Sequence, residues 1–220
     1  MTPRPGVRPE AVELADSESL RDLGTYVARA RRVDPDGAAR LMAGAGVLAV
    51  YVSPVHGGAA PTVLGLRTAA LADPSIDLDV TVPLAALADR LAVPSLGTSL
   101  PVPPMSAVDA GWAGISPPRS GWTLVTALDP AELAAAAAAG IAEVARTVPD
   151  TAGGHVIAQV RAAVWGRDLP STPGVAAGAA YAADALGFLD PQEPVAVRSA
   201  GRWWRLSTSR GHVLVRSALL

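Results

Sequence analysis

Five arginines and no acidic side chain fall between Pro194 and Leu220. Read as three short strands, Val195–Ser199, Trp203–Thr208 and His212–Ser217, this stretch can be resolved into two faces, because strand side chains alternate. Val195, Val197, Trp204, Leu206, Val213 and Val215 then point to a core. Arg198, Trp203, Arg205 and Arg216 point outward, with Arg202 and Arg210 in the turns. Charges for phosphates beside a flat ring for stacking are what a nucleic-acid surface needs. The competing reading is a solvated sheet face. The chain contains no lysine, so every basic residue is arginine by default, and only position carries information about charge. The net charge of −2 exerts no general pull on nucleic acid.

A second candidate is the stretch from Gly111 to Trp122, which holds two Gly-Trp pairs with Pro117, Pro118 and Arg119 between them. Trp112, Arg119 and Trp122 are residue types enriched where proteins meet. The same tryptophans could instead fill a seam where the chain passes from one half to the other.

Reactive chemistry is sparse. There is no cysteine, which excludes disulfides, thiolate nucleophiles and cysteine-ligated zinc. His56, His155 and His212 have no ligand spacing, so no metal site is expected. Asp77 and Asp79 would share a strand face and could hold a cation, but a solvated edge is the simpler reading. Gly44, Gly46 and Ala49 match the spacing of a dinucleotide loop, yet they precede a strand where the motif must follow one and open a helix. No Walker A sequence or Gly-x-Ser-x-Gly elbow is present. No catalytic residue and no cofactor is assigned, and the chain is expected not to be an enzyme.

The elements that would position these residues follow from pattern. Half of the 220 residues are apolar and 17% are charged, the composition of a globular protein. No apolar run reaches membrane-spanning length and no signal peptide is evident, so a cytoplasmic location is expected. Residues 1–16 read as a flexible tail. Ser17 opens a helix with Leu20, Leu23 and Val27 on one face. Asp34-Pro35 reads as the start of a short helix to Met42, and Val47–Ser53 as a central strand. Thr62–Leu71 and Ile76–Val82 read as strands, Pro83–Leu91 as a helix, and Ala92–Asp109 as a long loop. After a strand at Trp122–Ala127, Asp129-Pro130 opens an alanine-rich helix, and its likeness to Asp34-Pro35 suggests an internal repeat. Helices at His155–Trp165 and Val175–Leu186 precede the basic strands. The second of these is apolar all round, which suits burial or a second subunit better than base readout.

The expected fold is α+β. A small, mainly antiparallel N-terminal sheet with flanking helices occupies 17–110, and a Gly-Trp connecting segment occupies 111–128. A winged-helix-like C-terminal part, three helices and a three-stranded ribbon, occupies 129–220. Val33-Asp34-Pro35, Asp79 to Val82, Trp112 through Pro117-Pro118 to Gly121-Trp122, and Ala185 to Leu189 together resemble a group of uncharacterised proteins of high-GC Gram-positive bacteria. The resemblance spans about Ser17 to Ser217 and implies a cytoplasmic bacterial protein, with no activity and no functional residues. The leading functional expectation is a non-catalytic interaction or regulatory protein that self-associates as a homodimer, or binds another protein, through the apolar helix and the tryptophan segment. The alternative is nucleic-acid binding by Arg198, Arg202, Trp203, Arg205, Arg210 and Arg216, and the third reading is an enzyme of unknown type. No membrane or metal partner is expected.

Overall fold

A computed structural model describes residues 8–57, 60–93, 97–104, 110–149 and 151–216. The strands are β1 (Ala11–Glu13), β2 (Ala38–Gly44), β3 (Val47–Val55), β4 (Thr62–Ala70), β5 (Leu78–Pro83), β6 (Ser99–Pro101), β7 (Thr123–Leu128), β8 (Asp168–Leu169), β9 (Thr172–Ala176), β10 (Val195–Ala200), β11 (Trp203–Thr208) and β12 (Gly211–Arg216). The helices are α1 (Ser17–Val33), α2 (Leu84–Leu91), α3 (Pro130–Thr147), α4 (Gly154–Trp165) and α5 (Gly178–Ala185). Eight strands form one antiparallel sheet in the order β5-β2-β3-β4-β12-β11-β10-β7, and β1-β6 and β8-β9 form two small pairs. The chain divides into two compact units, Met1–Val52 with Arg67–Ala110, and Ser53–Leu66 with Gly111–Leu220.

This architecture overturns the expected small N-terminal sheet followed by a winged helix. A wing is a peripheral ribbon with a free outer edge. Here β12 pairs with β4, from Thr62 to Leu66, and β10 pairs with β7, so the basic strands lie inside a large sheet. The expected run of three helices is also broken. Thr172–Ala176 is extended and pairs back on Asp168–Leu169. Gly174 has a positive φ of 92°, and its N–H donates to an Asp168 Oδ2 3.0 Å away. That turn delays the helix to Gly178.

In the first unit, α1 buries Leu20, Leu23, Tyr26, Val27 and Ala30, the stripe its 3.6-residue period dictates. It packs beside α2, whose Leu84 and Leu87 are also buried. Pro35–Met42 is not a helix. Ala39, Leu41 and Ala43 are buried in alternation with Arg40 and Met42, and both flanks of β2 are paired. Sheet pairing thus overrides the helix propensity of Ala, Arg, Leu and Met. The expected N-terminal tail is strand from Ala11, with Val12 and Leu14 buried; residues 1–7 lie outside the described residues. Within the expected loop, β6 pairs with β1; 94–96 and 105–109 lie outside the described residues.

The likeness of Asp34-Pro35 to Asp129-Pro130 does not mark a repeat of two helix starts. Asp129 caps α3 through Ala131 N at 2.8 Å, whereas Asp34 stands at the C-terminal end of α1. The cap of α1 is Asp16, whose Oδ1 accepts from Ser19 N at 2.7 Å.

The Ser19 backbone and hydroxyl hold the Asp16 carboxyl below its ordinary value of 3.8, and the Arg167 guanidinium holds Glu143 below 4.5. A depressed folded-state value gives stability that is full above the unfolded value and lost as pH falls through the folded one. The melting temperature should therefore drop as pH falls below about 4. Asp16→Asn, which still caps but does not titrate there, should flatten part of that drop in a melting series from neutral pH to strong acid.

In the second unit, α3, α4 and α5 pack together. Trp165 is fully buried and stacks on Tyr181, with ring centroids 4.5 Å apart and an interplanar angle of 17°. Gly140 of α3 and Gly178 of α5 both lie against Trp165. α5 is apolar all round because it is internal: Gly178, Ala179, Ala180, Ala182 and Ala183 are buried within the unit. Trp204 lies against Gly174, and Phe188 closes over Gly211 of β12.

Candidate functional site

In antiparallel pairs, residues directly opposite one another share a sheet face. Arg198 of β10 stands opposite Arg205 of β11, and Trp203 stands opposite Arg216 of β12. Arg198 is also opposite Leu124 of β7. Arg198, Arg205 and Arg216 therefore share the face expected for them, but Trp203, assigned to that face as an exposed ring, is only 7% exposed. The expected stacking platform for bases is not presented.

The remaining ribbon arginines have other engagements. Arg210 pairs with Asp190 at 2.6 Å, while Glu193 ties the same turn through Ser209, at 2.8 Å to its N and 2.6 Å to its hydroxyl. Arg202 is exposed in the β10–β11 turn. Arg205 is half-buried, with its guanidinium 4.7 Å from the Trp122 ring centroid. The Trp122 indole N–H donates to the Pro118 carbonyl at 3.0 Å, which fixes the ring. Burial first, and then the neighbouring Arg198 charge, push the Arg205 guanidinium below its ordinary value. Trp112 sits in a short 3-10 turn, Gly111–Gly114, and is only 5% exposed; Arg119 is exposed.

The other chemical candidates are not brought together. Asp79 makes a two-point ion pair with Arg40 at 2.8 and 2.6 Å. His56 Nδ1 lies 2.9 Å from the Ser53 carbonyl, His155 is exposed on α4 and His212 lies on β12. Among the described residues no group of three or more His, Asp or Glu side chains could hold a metal ion. Gly44 to Gly46 is the β2–β3 hairpin turn, with Ala45 and Gly46 at φ of 50° and 78°. Left-handed backbone at both central positions suits Asn-Gly, so Ala45→Asn should raise stability by about 0.5–1 kcal/mol in chemical denaturation.

The feature that sequence reading missed is the edge of the sheet. In β7, Thr123, Leu124, Val125 and Ala127 are exposed, with Leu124 62% and Val125 49% accessible. No charged residue lies between Ser120 and Leu128. The opposite edge strand, β5, differs: Leu78, Val80 and Val82 are buried, Asp79 is exposed, and the strand ends at Pro83. Charge and proline are the usual guards of a free edge. β7 has neither. It leads directly into α3, where Ala131, Ala135, Ala138, Ala139, Ile141 and Ala142 are exposed.

The two halves of the chain match separate domain models. Residues 8–114 match a Domain of unknown function (DUF8010), and residues 117–220 match a Domain of unknown function (DUF8185). The fold is similar, at a TM-score of 0.45 and 12% identity, to the DNA polymerase III beta chain of Streptococcus pneumoniae TIGR4, over 100% of this chain and 67% of that one. No curated protein sequence matches. Among the described residues no helix is long and apolar enough to cross a membrane.

Proposed function

We propose that this chain is a non-catalytic protein-interaction module that self-associates through the β7 edge. The observation that carries the reading is the exposed, uncharged and unguarded β7. Its outer backbone N–H and C=O groups form a template for another strand. A second copy suits it. Antiparallel pairing of β7 with itself about a two-fold axis brings no like charges together, because the segment has none. Isologous contact is also the commonest way for identical chains to join. Six residues of strand pairing fall short of the roughly 1,200 Å² that a stable interface buries. The alanine face of α3 supplies further apolar surface, and its small side chains permit close approach. Arg119 and Trp122 immediately precede β7 and would flank the contact.

This reading moves self-association away from α5, whose apolar surface is used inside its own unit. The test is the mass in solution of the wild-type chain and of Leu124→Lys, with monomeric wild type at micromolar concentration as the refuting outcome.

A further inference from the structure

We propose that Arg198 and Arg205 form a binding site for a phosphate monoester dianion on the sheet face they share.

Three observations of geometry support it. The two-residue Gly201-Arg202 turn sets a register in which Arg198 and Arg205 are direct cross-strand partners. Like charges in that position destabilise a sheet. Next, neither Arg198, Arg205 nor Arg216 has an acidic partner among the described residues, whereas Arg31, Arg40, Arg67, Arg167 and Arg210 all do. Finally, Arg205 Nε is buried without a hydrogen-bond acceptor, as is the hydroxyl of Ser207 two residues along the same face. A fold that only needed to cover this face would place a neutral side chain opposite Arg205. Instead, one guanidinium lies over the Trp122 ring, 4.7 Å from its centroid, with a second cation beside it. A guanidinium so placed can recognise an oxyanion at two points.

Charge selects the ligand class. A carboxylate would neutralise one arginine and leave the other uncompensated. A phosphate monoester carries about −1.5 to −2 at neutral pH and matches the pair. A nucleic-acid diester carries one charge per phosphate and gains much of its single-strand affinity from stacking. The buried Trp203 and the tied Arg210 offer little of that. The monoester could be a free small molecule or a phosphorylated side chain of a protein, and the site chemistry is the same for both. The site does not require the β7 contact, so it can stand or fall separately from self-association.

The experiment uses the full-length chain and calorimetric titration with O-phosphoserine, a phosphoserine peptide, and a single-stranded oligonucleotide lacking a terminal phosphate. Saturable binding of O-phosphoserine is expected, reduced at least tenfold by Arg198→Gln and by Arg205→Gln. A peptide that binds more tightly than the free amino acid would identify a protein source, and equal affinity a small-molecule source. The unliganded Arg198→Gln chain should melt at or above the wild-type temperature, because it relieves a like-charge contact, and the phosphate ester should no longer raise it. Absence of saturable binding overturns the proposal, as does binding that survives both substitutions. Tighter binding of the oligonucleotide than of the ester, lost in the same variants, would replace it with nucleic-acid recognition. An Arg198→Gln chain that melts lower than wild type would show that Arg198 is held by a stabilising contact, and would also overturn it.

Discussion

Replacing Gly140 by alanine is expected to destabilise the protein, although the change places a better helix former inside a helix. Taken alone, the substitution should stabilise an exposed helix by roughly 0.5–1 kcal/mol. Gly140, however, is the one glycine in α3, following six consecutive alanines, and it faces Trp165. A Cβ at this position would lie 2.3 Å from Trp165 Cζ3 and 2.5 Å from Cη2. The indole cannot retreat easily. It is buried and stacked on Tyr181, and Gly178 of α5 lies against the Trp165 backbone oxygen and Cβ. Overpacking of this kind costs typically about 1–3 kcal/mol, which exceeds the gain in propensity. Trp165→Ala, which empties the same site, should cost about 3–5 kcal/mol. The double variant should recover part of the Gly140→Ala penalty, since the added methyl would then enter a cavity. Urea titrations of the four proteins measure this coupling. If Gly140→Ala proves neutral or stabilising, α3 does not approach Trp165 as closely as described.

The second large effect concerns β7. Leu124→Lys places a charge on the apolar edge, where it would meet an apolar surface, or its own symmetry mate, in a two-fold pairing. Leu124 is 62% exposed, so little burial is lost, but the new charge stands opposite Arg198, and folding stability should fall by up to about 1 kcal/mol. Each copy loses an apolar contact of about 1–2 kcal/mol, and symmetry counts the loss twice. The dimer dissociation constant should therefore rise by roughly thirtyfold to several hundredfold. Thr81→Lys on β5, the guarded edge, should leave association unchanged. Sedimentation velocity over a concentration series separates the three proteins. Equal weakening by both substitutions would point to a general charge effect and not to a β7 interface.

Much of the local structure was legible in the residues. The amphipathic stripe of α1, the Asp129 cap, and the alternation of β10 to β12 all follow from period and turn chemistry. The Ala38–Gly44 strand was not legible. Its residues favour helix, and only pairing with β3 and β5 makes them extended. The winged-helix expectation failed for a related reason. Element order is written in the chain, but which strand lies beside β12 is set by a partner some 150 residues earlier, as the Val63 and Val215 pairing shows. Trp203 was assigned outward by alternation, and the face was right. Its burial was not, because alternation says nothing of what covers a face. The β7 edge was hidden in the same way: Thr123 to Leu128 reads like any interior strand. The Arg198–Arg205 juxtaposition was missed for a local reason: ending the strand at Ser199 leaves a three-residue turn, whereas Ala200 belongs to β10 and the turn is the two residues Gly201-Arg202.

The most direct test of self-association is the mass of the purified chain at micromolar concentration by multi-angle light scattering. The exposed β7 edge predicts twice the 22.3 kDa chain mass, falling to the single-chain value in Leu124→Lys. A wild-type mass of one chain, unchanged by the substitution, would contradict it.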